Sequence, residues 1–315
     1  MLLLSAVALA SLGCPDRAAA ALCPPKREPP PVEVTVDSSR HEVTLTTGPW
    51  SLPNMPPMED HAMMEGAAGS ETDDASVPKT IGVPLSRGMD LGFYIMWHNE
   101  SGEDLDGVYL KYTMLWTPTN QNPRPVTSLP LYMDVNLTVG GSNTFDVPPG
   151  RSEKAYEFTL PVGGRLLGVG GHMHDYGSLV KLMDVESGKE LTRVTAKRDS
   201  SGKVLGISRK LFGVTGDGLK LKANHRYKVV GVYDNPTGQL RPNGAMAHMV
   251  GLFVPDDMSQ WPVVDKADPT MRRDLASLQV PGYEDAAAPP AAAGNDHHGN
   301  HGGRGEHEGH SQPPR

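Results

Sequence analysis

The chain has 315 residues, 38% of them hydrophobic, which is enough to bury one large core or two modest ones. A formal net charge of -8, without a basic stripe anywhere in the sequence, argues against a nucleic-acid partner. Glycine (35 residues) and proline (29 residues) are frequent, and short apolar runs alternate with turn signals, so the composition predicts an all-β fold.

Residues 1–23 are typical of an export signal, because a mostly apolar run from Leu2 to Leu12 precedes small residues. Ser11-Leu12-Gly13-Cys14 is an imperfect match to a bacterial lipoprotein cleavage site, while Ala19-Ala20-Ala21 permits ordinary signal-peptidase cleavage. A run of about eleven residues is too short to span a bilayer as an anchor. The sequence therefore predicts an exported bacterial protein, either periplasmic or tethered to the outer membrane by a lipidated Cys14.

A proline-rich linker, 24–31, leads into a first predicted β-sandwich domain, 32–148. Its segments alternate apolar and polar residues, as half-buried antiparallel strands do. The strands predicted in this domain are Val32–Val36, His41–Thr46, Met89–Asn99, Val108–Trp116 and Thr144–Val147.

Four methionines and one histidine lie close together in the first domain, flanked by prolines: Met55, Met58, His61, Met63 and Met64. Thioethers are soft ligands that suit Cu(I), so one interpretation is a loop that supplies accessory copper ligands. The other is that methionine fills irregular gaps under a loop.

The sequence Pro148-Pro149-Gly150 interrupts the strand pattern and predicts a domain boundary. The second domain, 149–257, is predicted as another β-sandwich because short strands recur between turns. Its predicted strands are Ala155–Leu160, Arg165–His174, Leu179–Val185, Leu191–Ala196, Gly218–Leu221, Arg226–Tyr233 and Met246–Val254.

After Pro255 the alternation ends, and residues 258–285 are predicted as an extension with a short helix at 268–278. Residues 286–315 are of low complexity and contain no large apolar residue, so we expect them to be disordered. This tail either scavenges metal or is a solvated polar segment. Its histidines are His297, His298, His301, His307 and His310.

Two histidines stand two residues apart in Gly171-His172-Met173-His174, at the end of a predicted strand. Because side chains alternate along a strand, both imidazoles are expected on one face, with Cα atoms about 6.5 Å apart. One small metal ion can bridge that distance. The alternative interpretation is that these histidines only form hydrogen bonds.

A third ligand is expected from the last strand of the second domain, where Met246 and His248 share one face and Met249 points the other way. His172, His174 and Met246 would suit copper, since imidazole binds both oxidation states and a thioether favours Cu(I). His172, His174 and His248 would instead make a three-histidine site for zinc or copper.

Further motifs accompany these ligands, namely His172-x-His174-x-x-Gly177, Tyr233-Asp234-Asn235 before the last strand, and the Pro148-Pro149-Gly150 junction. With them, roughly residues 30–257 resemble the copper type II, ascorbate-dependent monooxygenases, which include peptidylglycine α-hydroxylating monooxygenase and dopamine β-monooxygenase. The resemblance implies two jelly-roll-like antiparallel β-sandwich domains in tandem. It also implies that His172, His174 and Met246 bind an oxygen-activating copper, with ascorbate or another reductant supplying electrons.

The first domain resembles the family less completely. Tyr94-Ile95-Met96-Trp97-His98-Asn99 is similar to the segment that carries one histidine of the family's electron-transfer copper. The family's adjacent His-His pair is replaced by Asp60-His61-Ala62, which has one histidine. The resemblance therefore implies either a second copper site rebuilt from His61, His98 and nearby methionines, or the loss of that site.

Two functions follow from these expectations. The leading hypothesis is an exported copper protein that hydroxylates a C–H bond of a small molecule or peptide, using O2 and a reductant. The alternative is a non-catalytic periplasmic protein that binds, buffers or delivers copper.

Overall fold

The structure, a computed structural model, describes residues 31–54, 78–85, 99, 101–137, 143–213, 217–263 and 265–277, with the backbone of strands 6–10 and 91–95. The predicted all-β fold is confirmed. In chain order its strands are β1 (Ala6–Ala10), β2 (Val32–Asp37), β3 (Glu42–Leu52), β4 (Ile81–Gly82), β5 (Leu91–Ile95), β6 (Leu105–Leu115), β7 (Val126–Thr127), β8 (Leu129–Asp134), β9 (Phe145–Val147), β10 (Gly150–Thr159), β11 (Gly164–Met173), β12 (Gly177–Asp184), β13 (Glu190–Arg198), β14 (Val204–Ile207), β15 (Lys210–Leu211), β16 (Leu219–Leu221), β17 (Arg226–Asn235), β18 (Arg241–Ala245) and β19 (Ala247–Pro255).

Two antiparallel sheets form a sandwich in the C-terminal part of the chain. One has the strand order β10-β17-β12-β13-β14; the other has the order β15-β11-β19-β8, with β16 also paired to β11. Both sheets contribute to one buried core, to which β12 gives Leu182, β17 gives Tyr227 and β19 gives Phe253. At Gly231 of β17 an added Cβ would lie 2.7 Å from the Ala247 Cβ, so a glycine allows the sheets to approach closely there.

Strand β8 precedes the predicted boundary at 148 and 149, yet it hydrogen-bonds to β19 as the edge strand of the second sheet. Strand β9 also lies before that boundary and pairs with β18. Sequence analysis did not predict β8. Its Pro130 weakens the strand pattern, because proline has no backbone N–H to donate. An edge strand such as β8 tolerates proline, since one of its sides has no neighbour to pair with among the described strands.

The N-terminal part contains a three-stranded antiparallel sheet of order β2-β3-β6, as the alternating segments predicted. Strands β4 and β7 pair in parallel, and so do β1 and β5. Strand β1 lies within the predicted export signal, and its pairing does not test that prediction.

Helical structure is confined, in the described residues, to a 3-10 turn at Met258–Gln260 and helix α1 at Pro269–Ser277. The short helix predicted at 268–278 is therefore confirmed. Among the residues described, no helix has the length and apolar character needed to cross a membrane.

Candidate metal centre

His172 and His174 lie at the end of β11 and just beyond it, on the face that points away from the sandwich core. Their neighbour Met173 belongs to the core, as Val169 does further back along the same strand. Alternation therefore places the two imidazoles on the opposite face, as the sequence predicted. Both side chains are nevertheless buried, with 4% and 3% of their surface exposed.

Strand β19 lies beside β11, which confirms the pairing on which the search for a third ligand depended. His248 stands directly opposite His172 in the register of the two strands. Beyond the last paired residues, the His174 backbone N–H donates to the Met246 carbonyl at 3.2 Å. Met246 is thus the cross-strand neighbour of His174.

Met246 shares the face of the histidines. The residues on either side of it, Ala245 and Ala247, belong to the core cluster, so the side chain between them is directed to the other face. Met246 is itself only 6% exposed. His172, His174, Met246 and His248 therefore occupy neighbouring positions on one face of two paired strands.

The three imidazole rings are close to one another. The ring centroids of His172 and His174 are 5.2 Å apart, with their planes nearly perpendicular at 89°. The centroids of His172 and His248 are also 5.2 Å apart, and these rings are stacked with an interplanar angle of 28°. The three rings therefore form one cluster on this face.

A tight turn after His174 explains why glycine ends the motif. Tyr176 adopts a positive φ of 65°, and the Gly177 backbone N–H donates to the His174 carbonyl at 3.1 Å. A Cβ at Gly177 would lie 2.8 Å from both that carbonyl oxygen and the Met173 Cβ. Asp175 Oδ1 accepts a 2.9 Å hydrogen bond from the Val204 N–H, which connects the turn to β14.

Tyr233, on β17 of the opposite sheet, joins the segments that carry His174 and Met246. Its hydroxyl donates to the Met246 carbonyl at 2.6 Å and accepts from the His174 N–H at 3.3 Å. The side chain is fully enclosed, and burial raises the pKa of its hydroxyl far above the usual value. Tyr233 therefore remains a neutral donor that fixes the spacing of His174 and Met246.

Two residues that sequence analysis missed, Tyr132 and Asp134, reach the same face from β8. Asp134 stands opposite His248 in the β8–β19 register. The Tyr132 hydroxyl donates to Asp134 Oδ2 at 2.7 Å and lies 3.2 Å from His248 Nδ1. Burial raises the pKa of Asp134, against the lowering effect of hydrogen bonds from Tyr132, Asn136 and Asn143 and of the charge on His172. The sequence signal that could have predicted this strand, and with it the shared face of Tyr132 and Asp134, is the alternation in Leu129-Pro130-Leu131-Tyr132-Met133-Asp134.

The donor types on this face fit copper. Two imidazoles and a thioether suit a metal that cycles between Cu(I) and Cu(II), whereas zinc seldom accepts a thioether. In the described part of the chain, no group of three His, Cys, Asp or Glu side chains is already arranged to hold a metal ion. His172, His174 and His248 are therefore not arranged around one point as they stand, whereas a site completed by the Met246 sulfur is not a group of that kind.

The remaining sequence-predicted ligands lie outside the described residues, so the structure does not place them relative to His172. They are Met55, Met58, His61, Met63, Met64 and His98, together with the histidines of the tail.

The fold and these side chains define an all-β protein with a candidate metal centre built from histidine and methionine. No family model and no curated protein matches the chain. An IBDV viral particle aligns at 10% identity and a TM-score of 0.16, covering 78% of this chain and 73% of that one. Infectious bursal disease virus of the Gx strain aligns at 11% identity and 0.14, covering 76% and 71%. Likenesses this weak carry no argument about fold or function.

Proposed function

We propose that this protein is an exported copper protein whose metal is held by His172, His174 and Met246. The observation that carries the proposal is the placement of these residues across the β11–β19 pair. His174 and Met246 are joined by a backbone hydrogen bond, and His172 lies on the same face. Their donor atoms are those that bind copper in both oxidation states.

The chain's own contribution is to hold the donors in place before any metal binds. Tyr233 fixes the distance between the His174 and Met246 backbones, and the turn at Gly177 fixes where His174 leaves β11. Burial of the imidazoles removes competing water from the site. Ligands fixed in this way lose little conformational entropy when they coordinate.

Oxygen-dependent hydroxylation of a C–H bond is the reaction we propose for this site. A copper bound there would supply one-electron redox chemistry and oxygen activation. Support comes from the resemblance of the His172-x-His174-x-x-Gly177 motif and Met246 to copper type II monooxygenases. Ascorbate or another reductant would supply the electrons, and O2 would provide one oxygen atom to the product and the other to water.

A second candidate is copper binding without turnover, for buffering or delivery. The observation that favours it is the burial of the donors, because His172, His174 and His248 are 4%, 3% and 6% exposed. A substrate needs an open approach to the metal, whereas a storage site does not.

The test of copper binding uses the full mature chain, with the five tail histidines changed to glutamine so that the tail does not compete. We expect about one copper per chain at this centre, and a thermal midpoint that rises on loading because the native state alone binds the ion. His172→Ala combined with His174→Ala should abolish both effects, and Met246→Leu should weaken Cu(I) more than Cu(II).

His225→Ala is the matched control, because this histidine lies just before β17 and contacts Asp184 and Glu186 rather than the centre. It should load copper as the parent chain does. Equal loading by the His172 and His174 double variant would refute the proposal. Oxygen uptake matched by hydroxylated product, on adding ascorbate with a peptide-like or phenethylamine-like compound, favours the enzyme; copper binding without product favours storage.

A further inference from the structure

We infer that His248 is a further ligand of the same metal, which gives the centre three imidazoles and one thioether, and that Tyr132 and Asp134 orient its ring. This inference rests on the proposed copper function and deepens it. It concerns a residue to which the family resemblance assigns no role.

The first support is the position of His248 in the sheet. His248 faces His172 across the β11–β19 pair, and Met246 faces His174. Directly opposed side chains have Cβ atoms about 5 Å apart, and side chains two residues apart on one strand are about 6.5 Å apart. The four side chains therefore stand at the corners of a small rectangle on one face. The three imidazoles are not arranged around one point as they stand, so binding would require the rings to turn towards the centre of that rectangle.

The second support is the hydrogen-bond chain behind His248. The Tyr132 hydroxyl carries one proton, and it donates that proton to Asp134 Oδ2 at 2.7 Å. Towards His248 Nδ1, at 3.2 Å, the same hydroxyl can only accept. The proton of a neutral His248 ring is therefore on Nδ1, and Nε2 is the nitrogen with the lone pair that a metal needs.

Asp134 acts as an acceptor throughout this chain. Besides Tyr132, the Asn136 backbone N–H donates to its Oδ1 at 2.7 Å and the Asn143 amide donates to its Oδ2 at 3.0 Å. The Asp134 carboxylate thus accepts three hydrogen bonds, one of them from Tyr132. The Tyr132 proton is therefore directed at Asp134 and not at His248. A metal-binding histidine usually donates its second ring N–H to a carboxylate, which fixes its tautomer. Here the Tyr132 hydroxyl lies between the His248 ring and the Asp134 carboxylate.

The third support is ring packing. The Tyr132 and His248 rings lie 4.7 Å apart, and the His248 and His172 rings are stacked at 5.2 Å. His248 is thus held between a tyrosine and a proposed ligand, and it is only 6% exposed. With the His248 imidazole as a fourth donor, three imidazoles would favour Cu(II) and the Met246 thioether would favour Cu(I). The ion would then stay bound in both oxidation states.

The experiment counts imidazole ligands by pulsed EPR of the Cu(II)-loaded full chain carrying the tail substitutions. We expect three coupled imidazoles in the parent and two in His248→Gln. Tyr132→Phe keeps the ring and removes the hydroxyl, so it should weaken copper affinity about 10–100-fold and shift the copper hyperfine coupling. The metal-free thermal midpoint should change little in Tyr132→Phe. His225→Gln should match the parent in imidazole count, copper affinity and hyperfine coupling.

A parent chain with two imidazoles and an unchanged His248→Gln spectrum would overturn the inference and leave the proposed copper function intact. A parent that binds no copper at this centre would overturn both. If His248→Gln does not fold, Tyr132→Phe decides: an affinity and hyperfine coupling equal to the parent's would count against the inference.

Discussion

At the scale of single residues, the hydroxyl of Tyr233 shows how a distant side chain determines the spacing of two proposed ligands. It accepts from the His174 N–H and donates to the Met246 carbonyl, although it belongs to the other sheet. An edge-to-face contact with Phe145, with centroids 5.6 Å apart, holds its ring. The centre is therefore connected to both layers of the sandwich.

A second residue-scale feature predicts how stability depends on pH. The Ser187 backbone N–H and His225 both bind the Asp184 carboxylate and lower its pKa from 3.8 to about 2. Because the folded pKa lies below the unfolded one, the ionised form stabilises the protein above about pH 4. This contribution is lost as the pH falls from about 4 to 2.

We therefore expect Asp184→Asn to reduce the pH dependence of the free energy of unfolding between about pH 4 and pH 2. Urea denaturation of the parent and variant across that range measures it. Asp217→Asn, at an exposed carboxylate, is the control and should follow the parent curve. A parallel loss of stability with pH in Asp184→Asn and the parent would show that this carboxylate is not responsible.

At the scale of elements, the two adjacent glycines of β11, Gly170 and Gly171, differ in how much space surrounds them. A Cβ at Gly171 would lie 2.7 Å from the His248 carbonyl oxygen and 3.0 Å from Val194 Cγ2 of the facing sheet. At Gly170 the nearest atom would be Arg209 Cγ, at 3.9 Å. Gly171 thus permits the close approach of β11 to β19 where His172 and His248 meet.

Gly171→Ala should lower the free energy of unfolding by roughly 1–3 kcal/mol, because backbone and core must shift to admit the methyl group. It should also weaken copper binding, since the strand that carries His172 would move. Gly170→Ala is the matched control and should change stability by less than about 1 kcal/mol. Chemical denaturation and copper titration measure both effects, and equal results for the two variants would contradict this account of β11.

At the scale of the whole molecule, the second sheet is completed by a strand from before the predicted domain boundary. Strand β8 covers the edge of β19 from Leu129 to Asp134 and contributes Met133 to the core. Without it, β19 would expose a row of backbone donors and acceptors, which favours association between chains.

A chain truncated to residues 149–277 should therefore aggregate or unfold at lower temperature than one spanning residues 126–277. Size-exclusion chromatography and thermal unfolding distinguish the two, and the longer chain should be monomeric under conditions where the shorter is not. Equal solubility and equal thermal midpoints would mean that the sandwich does not need β8.

Local patterns in the sequence were sufficient for the fold class and for much of the site. Alternation predicted β11 and β19 to within a residue or two, and it placed His172 with His174 and Met246 with His248. It missed β8, because Pro130 interrupts the strand pattern where an edge position tolerates proline. The side-chain face is a property of neighbouring residues, so it is visible without any knowledge of the fold.

Which strands lie side by side, and in what register, depends on packing between residues far apart in the sequence. The sequence by itself therefore determined that two histidine-bearing strands each present donors on one face. Only the tertiary structure decided that His248 stands opposite His172 and that Met246 neighbours His174. It also decided that β8 brings Tyr132 and Asp134 to the same face, because long-range strand pairing is set by the core that both sheets share.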